Sequence, residues 1–145
     1  MKRPRDINIV IGIGIFAVVA IAAYWFFWFV MPGVVQARTP ANPDFKIYSG
    51  YELAFPLPDA FVLIAALVGV IGLWNMKEWG FLYMLLAAGG AFFLGLEDLL
   101  FDLENQMFMP FNSAAMIELA IVLVILSLGP VMTVLLWKHR RELIR

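Results

Sequence analysis

Four long apolar stretches restrict the architecture that this chain of 145 residues can adopt. They cover residues 7–31, 57–76, 79–101 and 113–137. Each is close to the roughly 20 apolar residues with which a helix crosses a bilayer core about 30 Å thick. Hydrophobic residues make up 63% of the chain, and a soluble domain of this size would leave much of that surface in water. The sequence therefore predicts an all-α integral membrane protein that forms one domain, a bundle of four transmembrane helices.

The basic residues fall mostly on one side of this predicted bundle. Four crossings place both termini and the short connection at residues 75–78 on the same side of the membrane. Eight of the ten Lys and Arg residues lie there: Lys2, Arg3, Arg5, Lys77, Lys138, Arg140, Arg141 and Arg145. Only Arg38 and Lys46 lie opposite. Because basic loops favour the cytoplasmic face, we predict that both termini are cytoplasmic and that the protein resides in the cell membrane.

The longest connection, residues 32–56, lies on the outer side in this topology. Its second half is apolar over residues 48–55. A segment of this composition avoids water by lying on the membrane surface or by folding over the mouth of the bundle. The sequence is compatible with both arrangements, a lid and a packed interfacial loop. An aromatic run at residues 24–29 indicates an interfacial belt on the same side, an interpretation that we favour over a platform for ligand stacking.

Small residues on the third stretch predict how it packs. Ala87, Ala91 and Gly95 recur at every fourth position, and small side chains let helices approach closely in lipid. The helical step of about 100° places Asp98 and Asp102 near the same stripe. We therefore expect both aspartates to face a neighbouring helix.

The fourth stretch carries one carboxylate at a similar depth. Glu118 shares a side with the small residues of that helix, so it is also expected to point inward. None of the four stretches contains Lys, Arg or His. Carboxylates crowded in a low dielectric must take up a proton, bind a cation or open to water. The predicted ligand or cation site consists of Asp98, Glu118, Glu97, Asp102, Glu52 and Asp59. The alternative interpretation is structural: Glu97, Asp98 and Asp102 end the third helix at the headgroups, and Glu118 hydrogen-bonds a neighbouring helix.

Three functions are compatible with such a pocket. The first is binding of a cation or a cationic, amphipathic small molecule, with coupling to transport as one form of it. A hard divalent cation suits an oxygen-rich site. The second is the role of a non-catalytic accessory or scaffold subunit. The third is a small lipid-modifying enzyme that uses paired carboxylates for acid–base catalysis. We favour the first and lean against an enzyme.

The chain lacks the residues that several other kinds of functional site require. There is no cysteine, and His139 is the only histidine and lies among basic residues. The sequence contains no phosphate-binding loop and no zinc pattern, so we expect neither haem nor a nucleotide cofactor. The expected partners are the lipid bilayer and either further copies of the chain or a larger membrane complex, not nucleic acid. We find no motif that assigns the chain to a family.

Overall fold

The structure, a computed structural model, describes residues 3–32 and 44–144. Within these residues it contains helices and no strands. The helices are α1 (Arg5–Val30), α2 (Phe45–Glu52), α3 (Pro56–Trp74), α4 (Glu78–Glu104), α5 (Ser113–Lys138) and α6 (Arg140–Leu143). The four long helices, α1, α3, α4 and α5, have the length and hydropathy to cross a membrane. The prediction of an all-α chain with four such helices is confirmed.

The predicted helix boundaries agree with the observed ones to within a few residues. The largest difference is at the end of α4, which was expected near Phe101 and continues to Glu104. The apolar stretch ends at Phe101, but the helix continues through the polar residues that follow and ends where Asn105 caps it. The Asn105 side-chain amide donates a hydrogen bond of 2.9 Å to the Phe101 carbonyl. Gln106 then adopts a positive φ of 55°, which ends the helical path.

The four long helices form a closed ring. α4 packs against α3 on one side and α5 on the other, and α1 contacts both α3 and α5. The predicted small-residue stripe lies at these interfaces. Ala87 is buried against Ala65 and Ala66 of α3, and a side chain at Gly95 would meet Ile125 of α5. The stripe is therefore confirmed as a packing surface.

The first part of the apolar half of the long connection, residues 48–52, lies in α2. Its first turn is capped by Asp44, whose carboxylate accepts a hydrogen bond of 2.8 Å from the Lys46 amide. Tyr48 of this helix is buried against Trp28 of α1 and Met107, which follows α4. Residues 33–43 lie outside the described part of the chain. A gating role for the connection stays a prediction.

Both described termini meet at one end of the bundle, which we call the terminal end. Asp6 of α1 binds the Lys138 ammonium at 2.7 Å and His139 Nε2 at 3.0 Å. The other ring nitrogen of His139 lies 2.8 Å from Glu142. We call the opposite end, with α2 and the α4–α5 connection, the loop end. The side of the membrane that each end faces stays a prediction.

The contacts of His139 predict a pH dependence of stability. Hydrogen bonds to Glu142 and Asp6 raise the pKa of the imidazole above its ordinary value. The stabilisation is therefore complete below about pH 6.5, the ordinary histidine pKa, and is lost as the pH rises through the higher folded value. We expect the thermal midpoint of the wild type to fall relative to H139Q across this window. Parallel pH profiles of the two proteins would contradict this assignment.

Candidate functional site

Two carboxylates at the loop end accept hydrogen bonds from the aromatic run of α1. The Tyr24 hydroxyl donates to Glu52 at the end of α2, over 2.7 Å. The Trp25 indole N–H donates to Asp59 in the first turn of α3, over 2.8 Å. Donors of the aromatic run therefore reach two separate elements, α2 and α3.

A third carboxylate is held by α2 itself. The Tyr51 hydroxyl donates to Asp98 of α4 over 3.2 Å. The Tyr51 ring stacks on Phe101, one turn further along α4, with ring centroids 3.7 Å apart and the planes nearly parallel. The helix α2 is thus joined to α4 by one polar contact and one stacking contact.

Tyr48 lies where α2 meets the interior of the loop end. Its side chain is buried between Trp28 and Met107. Burial raises the pKa of the Tyr48 hydroxyl above its ordinary range, and the charges of Glu52 and Glu118 raise it further. Burial also raises the pKa of Glu52, and the hydrogen bond from Tyr24 opposes that shift. Glu118 of α5 is therefore close to the carboxylate of α2.

Asp102, in the last turn of α4, is the buried charged residue of the described chain. Its exposed fraction is 2%. Its Oδ2 atom has no hydrogen-bond partner among the described residues. Asp102 also interacts electrostatically with Glu52 and Glu118. An ionised oxygen without a donor in a buried site is costly, so this side chain requires a positive partner or a proton.

Basic side chains do not neutralise this cluster within the described residues. The ion pairs seen there join Asp6 and Glu142 to Lys138 and His139, at the terminal end. Lys46 is exposed on α2. Arg38, the other basic residue of the long connection, lies outside the described residues.

The structure brings together most of the predicted site residues. We call them the loop-end carboxylates: Glu52, Asp59, Asp98, Asp102 and Glu118. Glu97 lies apart on an exposed face of α4. It is still close enough to act on Tyr51, whose pKa is raised first by burial, then by Asp98 and to a lesser degree by Glu97. A ligand role for Glu97 stays a prediction.

The aromatic members of the site were not predicted from the sequence. Tyr24, Trp25 and Trp28 were interpreted as a membrane belt in preference to a ligand-stacking platform, and Tyr48 and Tyr51 as part of an apolar loop. Their spacing could have indicated that they act together, because Tyr24 and Trp28 are four residues apart and share one face of α1. Tyr48 and Glu52 have the same spacing in α2.

The arrangement of the carboxylates bears on which cation they could hold. Among residues 3–32 and 44–144, no group of three or more Asp, Glu or His side chains is placed to bind a metal ion. An open cavity of about 450 Å³ lies elsewhere, at the terminal end, lined by Glu78, Trp79, Phe81, Leu82 and Ile144. The loop-end carboxylates are therefore closely packed with aromatic side chains and do not surround that cavity.

Comparison with known proteins assigns neither a family nor a function to this chain. No protein family model, curated protein or solved structure matches this chain.

Proposed function

We propose that this protein binds a cation or a cationic small molecule at the loop-end carboxylates. The observation that carries the proposal is the burial of Asp102, with an exposed fraction of 2% and no hydrogen-bond donor to its Oδ2 atom among the described residues. A buried carboxylate is normally paired or bound to a cation. Here the surrounding carboxylates add negative charge rather than compensating it.

The positions of the carboxylates in the fold support a binding site rather than acidic residues that merely end helices at the membrane surface. They come from four elements, α2, α3, α4 and α5. Asp98, Glu118 and Glu52 are all half-buried. Carboxylates that only ended helices at the headgroups would face water independently, as Glu104 does at the end of α4.

The distribution of charge favours binding over conduction through a single bundle. The middle of each long helix carries no ionisable residue that could continue a charged path. Beyond this apolar layer, the next carboxylates are Asp6 and Glu78 at the terminal end. A site of this kind takes up its ligand from the loop end, and transport would require helix movement or a second copy of the chain.

A replacement of two carboxylates tests the proposal. The thermal midpoint of the purified protein is measured in detergent with chlorides of sodium, magnesium, calcium and tetramethylammonium at matched ionic strength. We expect at least one of these cations to raise the midpoint of the wild type. At about a hundredfold excess over the dissociation constant, the gain is about 2.7 kcal/mol. The double variant carrying D98N and E118Q should lose this response.

The matched control is E104Q. Glu104 is an exposed carboxylate on the last turn of the same helix as Asp98, so its removal changes the net charge by one unit without touching the buried cluster. The control should keep the full response. A wild type that is indifferent to every cation, or a double variant that responds like the wild type, would refute the proposal.

A further inference from the structure

Aromatic rings surround the loop-end carboxylates on the side of α1 and α2. The centroid of the Trp28 ring lies 6.0 Å from that of Tyr24 and 6.3 Å from that of Tyr48. Trp28 and Tyr48 are tilted by 54° relative to each other, so their faces are not stacked together. Both side chains are buried. The charges of Glu52 and Glu118 act on the Tyr48 hydroxyl.

Aromatic rings beside the loop-end carboxylates do not favour binding of a small, strongly hydrated ion. Calcium takes six to eight oxygen ligands, and magnesium requires a near-octahedral shell. Three of the loop-end carboxylates already have an oxygen that accepts a hydrogen bond from an aromatic side chain: Glu52, Asp59 and Asp98. In the described part of the chain, no three acidic or histidine side chains are placed around a common metal position.

Buried carboxylates beside aromatic rings suit another class of cation. An alkylated ammonium group has a weakly held hydration shell and is attracted to the faces of Trp and Tyr rings. A carboxylate nearby supplies the opposite charge. Asp102 offers an oxygen with no hydrogen-bond donor among the described residues, and Glu118 lies close to both Asp102 and Tyr48.

We infer that the ligand of this site is an organic ammonium ion, held electrostatically by Asp102 and Glu118, with its alkyl groups against Trp28 and Tyr48. This inference rests on the proposed function and specifies the class of cation. The rings pack on one another in the structure, so the ammonium group enters by separating Tyr48 of α2 from Trp28 of α1.

The test uses three probes on the full-length protein in detergent: tetramethylammonium chloride, calcium chloride and neopentyl alcohol. Neopentyl alcohol resembles tetramethylammonium in shape but carries no charge. The readout is the rise in thermal midpoint over sodium chloride of equal ionic strength, titrated to give an apparent dissociation constant. We expect tetramethylammonium to stabilise the wild type, and calcium and the alcohol to have no effect.

Two variants of one residue examine the aromatic contribution. Y48F keeps the ring and should retain the affinity for tetramethylammonium to within a few fold. Y48L removes the ring and should weaken binding roughly tenfold or more. If Y48L fails to fold, the comparison of the three probes on the wild type still decides whether the ligand is an organic ammonium ion.

The possible outcomes separate this inference from the proposed function. Stabilisation by calcium without an effect of tetramethylammonium would overturn the ammonium inference and leave the proposed cation site standing. Equal stabilisation by the alcohol would also overturn it, because recognition would then be apolar only. Equal affinities of Y48F and Y48L would overturn the aromatic role. Indifference to every cation would remove both proposals.

Discussion

The variant G80A is expected to lower the free energy of unfolding by about 2 kcal/mol or more. Gly80 of α4 faces Gly72 of α3 so closely that a methyl group on either residue would collide with the backbone of the other. Overpacking of a tight contact costs about 1–3 kcal/mol, and more where the backbone itself must move. The helices must therefore separate near the turn that joins them.

The matched control for this variant is G89A in the same helix. A methyl group at Gly89 would meet nothing within 4 Å. Alanine is also favoured over glycine inside a helix by about 1 kcal/mol. We expect G89A to be as stable as the wild type or more stable, as measured by unfolding in a graded denaturing detergent. Equal stabilities of G80A and G89A would show that α3 and α4 do not pack through this contact.

The variant D102L is expected to raise the stability of the cation-free protein by about 1–3 kcal/mol. The Asp102 carboxylate is buried, and its Oδ2 atom has no hydrogen-bond donor in the described chain. Leucine has a similar shape and removes the cost of the unpaired oxygen. D102N should give a smaller gain because its amide also needs partners. Both variants should lose the cation response.

The control for these variants is E104Q, since Glu104 is exposed two positions further along the helix. An exposed substitution of this kind changes stability by less than about 0.5 kcal/mol. The measurement is the free energy of unfolding without added cation, followed by the thermal midpoint with it. A loss of several kcal/mol in D102L would mean that the carboxylate makes a stabilising interaction in the cation-free protein and that its Oδ2 atom is not unpaired.

The carboxylate site could be predicted in part. Small residues at every fourth position of α4 predicted that Asp98 and Asp102 lie on a packed face. In the structure Asp102 is buried and Asp98 is half-buried. The small-residue side of α5 likewise predicted the inward position of Glu118. These predictions succeeded because one helical face follows from the positions of residues along a single element.

The aromatic partners could not be predicted in the same way. Tyr24 and Glu52 are 28 positions apart, and Trp25 and Asp59 are 34 apart. Such pairs depend on how α1 is rotated about its axis and on where α2 lies. From the sequence, the segment that forms α2 was interpreted as part of an apolar loop. The helical conformation of α2 depends on the cap at Asp44 and on packing against Trp28.

The sequence by itself determined the four long apolar helices and the concentration of carboxylates near one end, because hydropathy, length and helical period are local properties of the chain. Only the tertiary structure decided which carboxylates converge, which aromatic side chains hold them and that Asp102 is enclosed while Glu104 is exposed. Those outcomes depend on the rotation and closeness of neighbouring helices, which depend on contacts between distant residues such as Gly72 and Gly80.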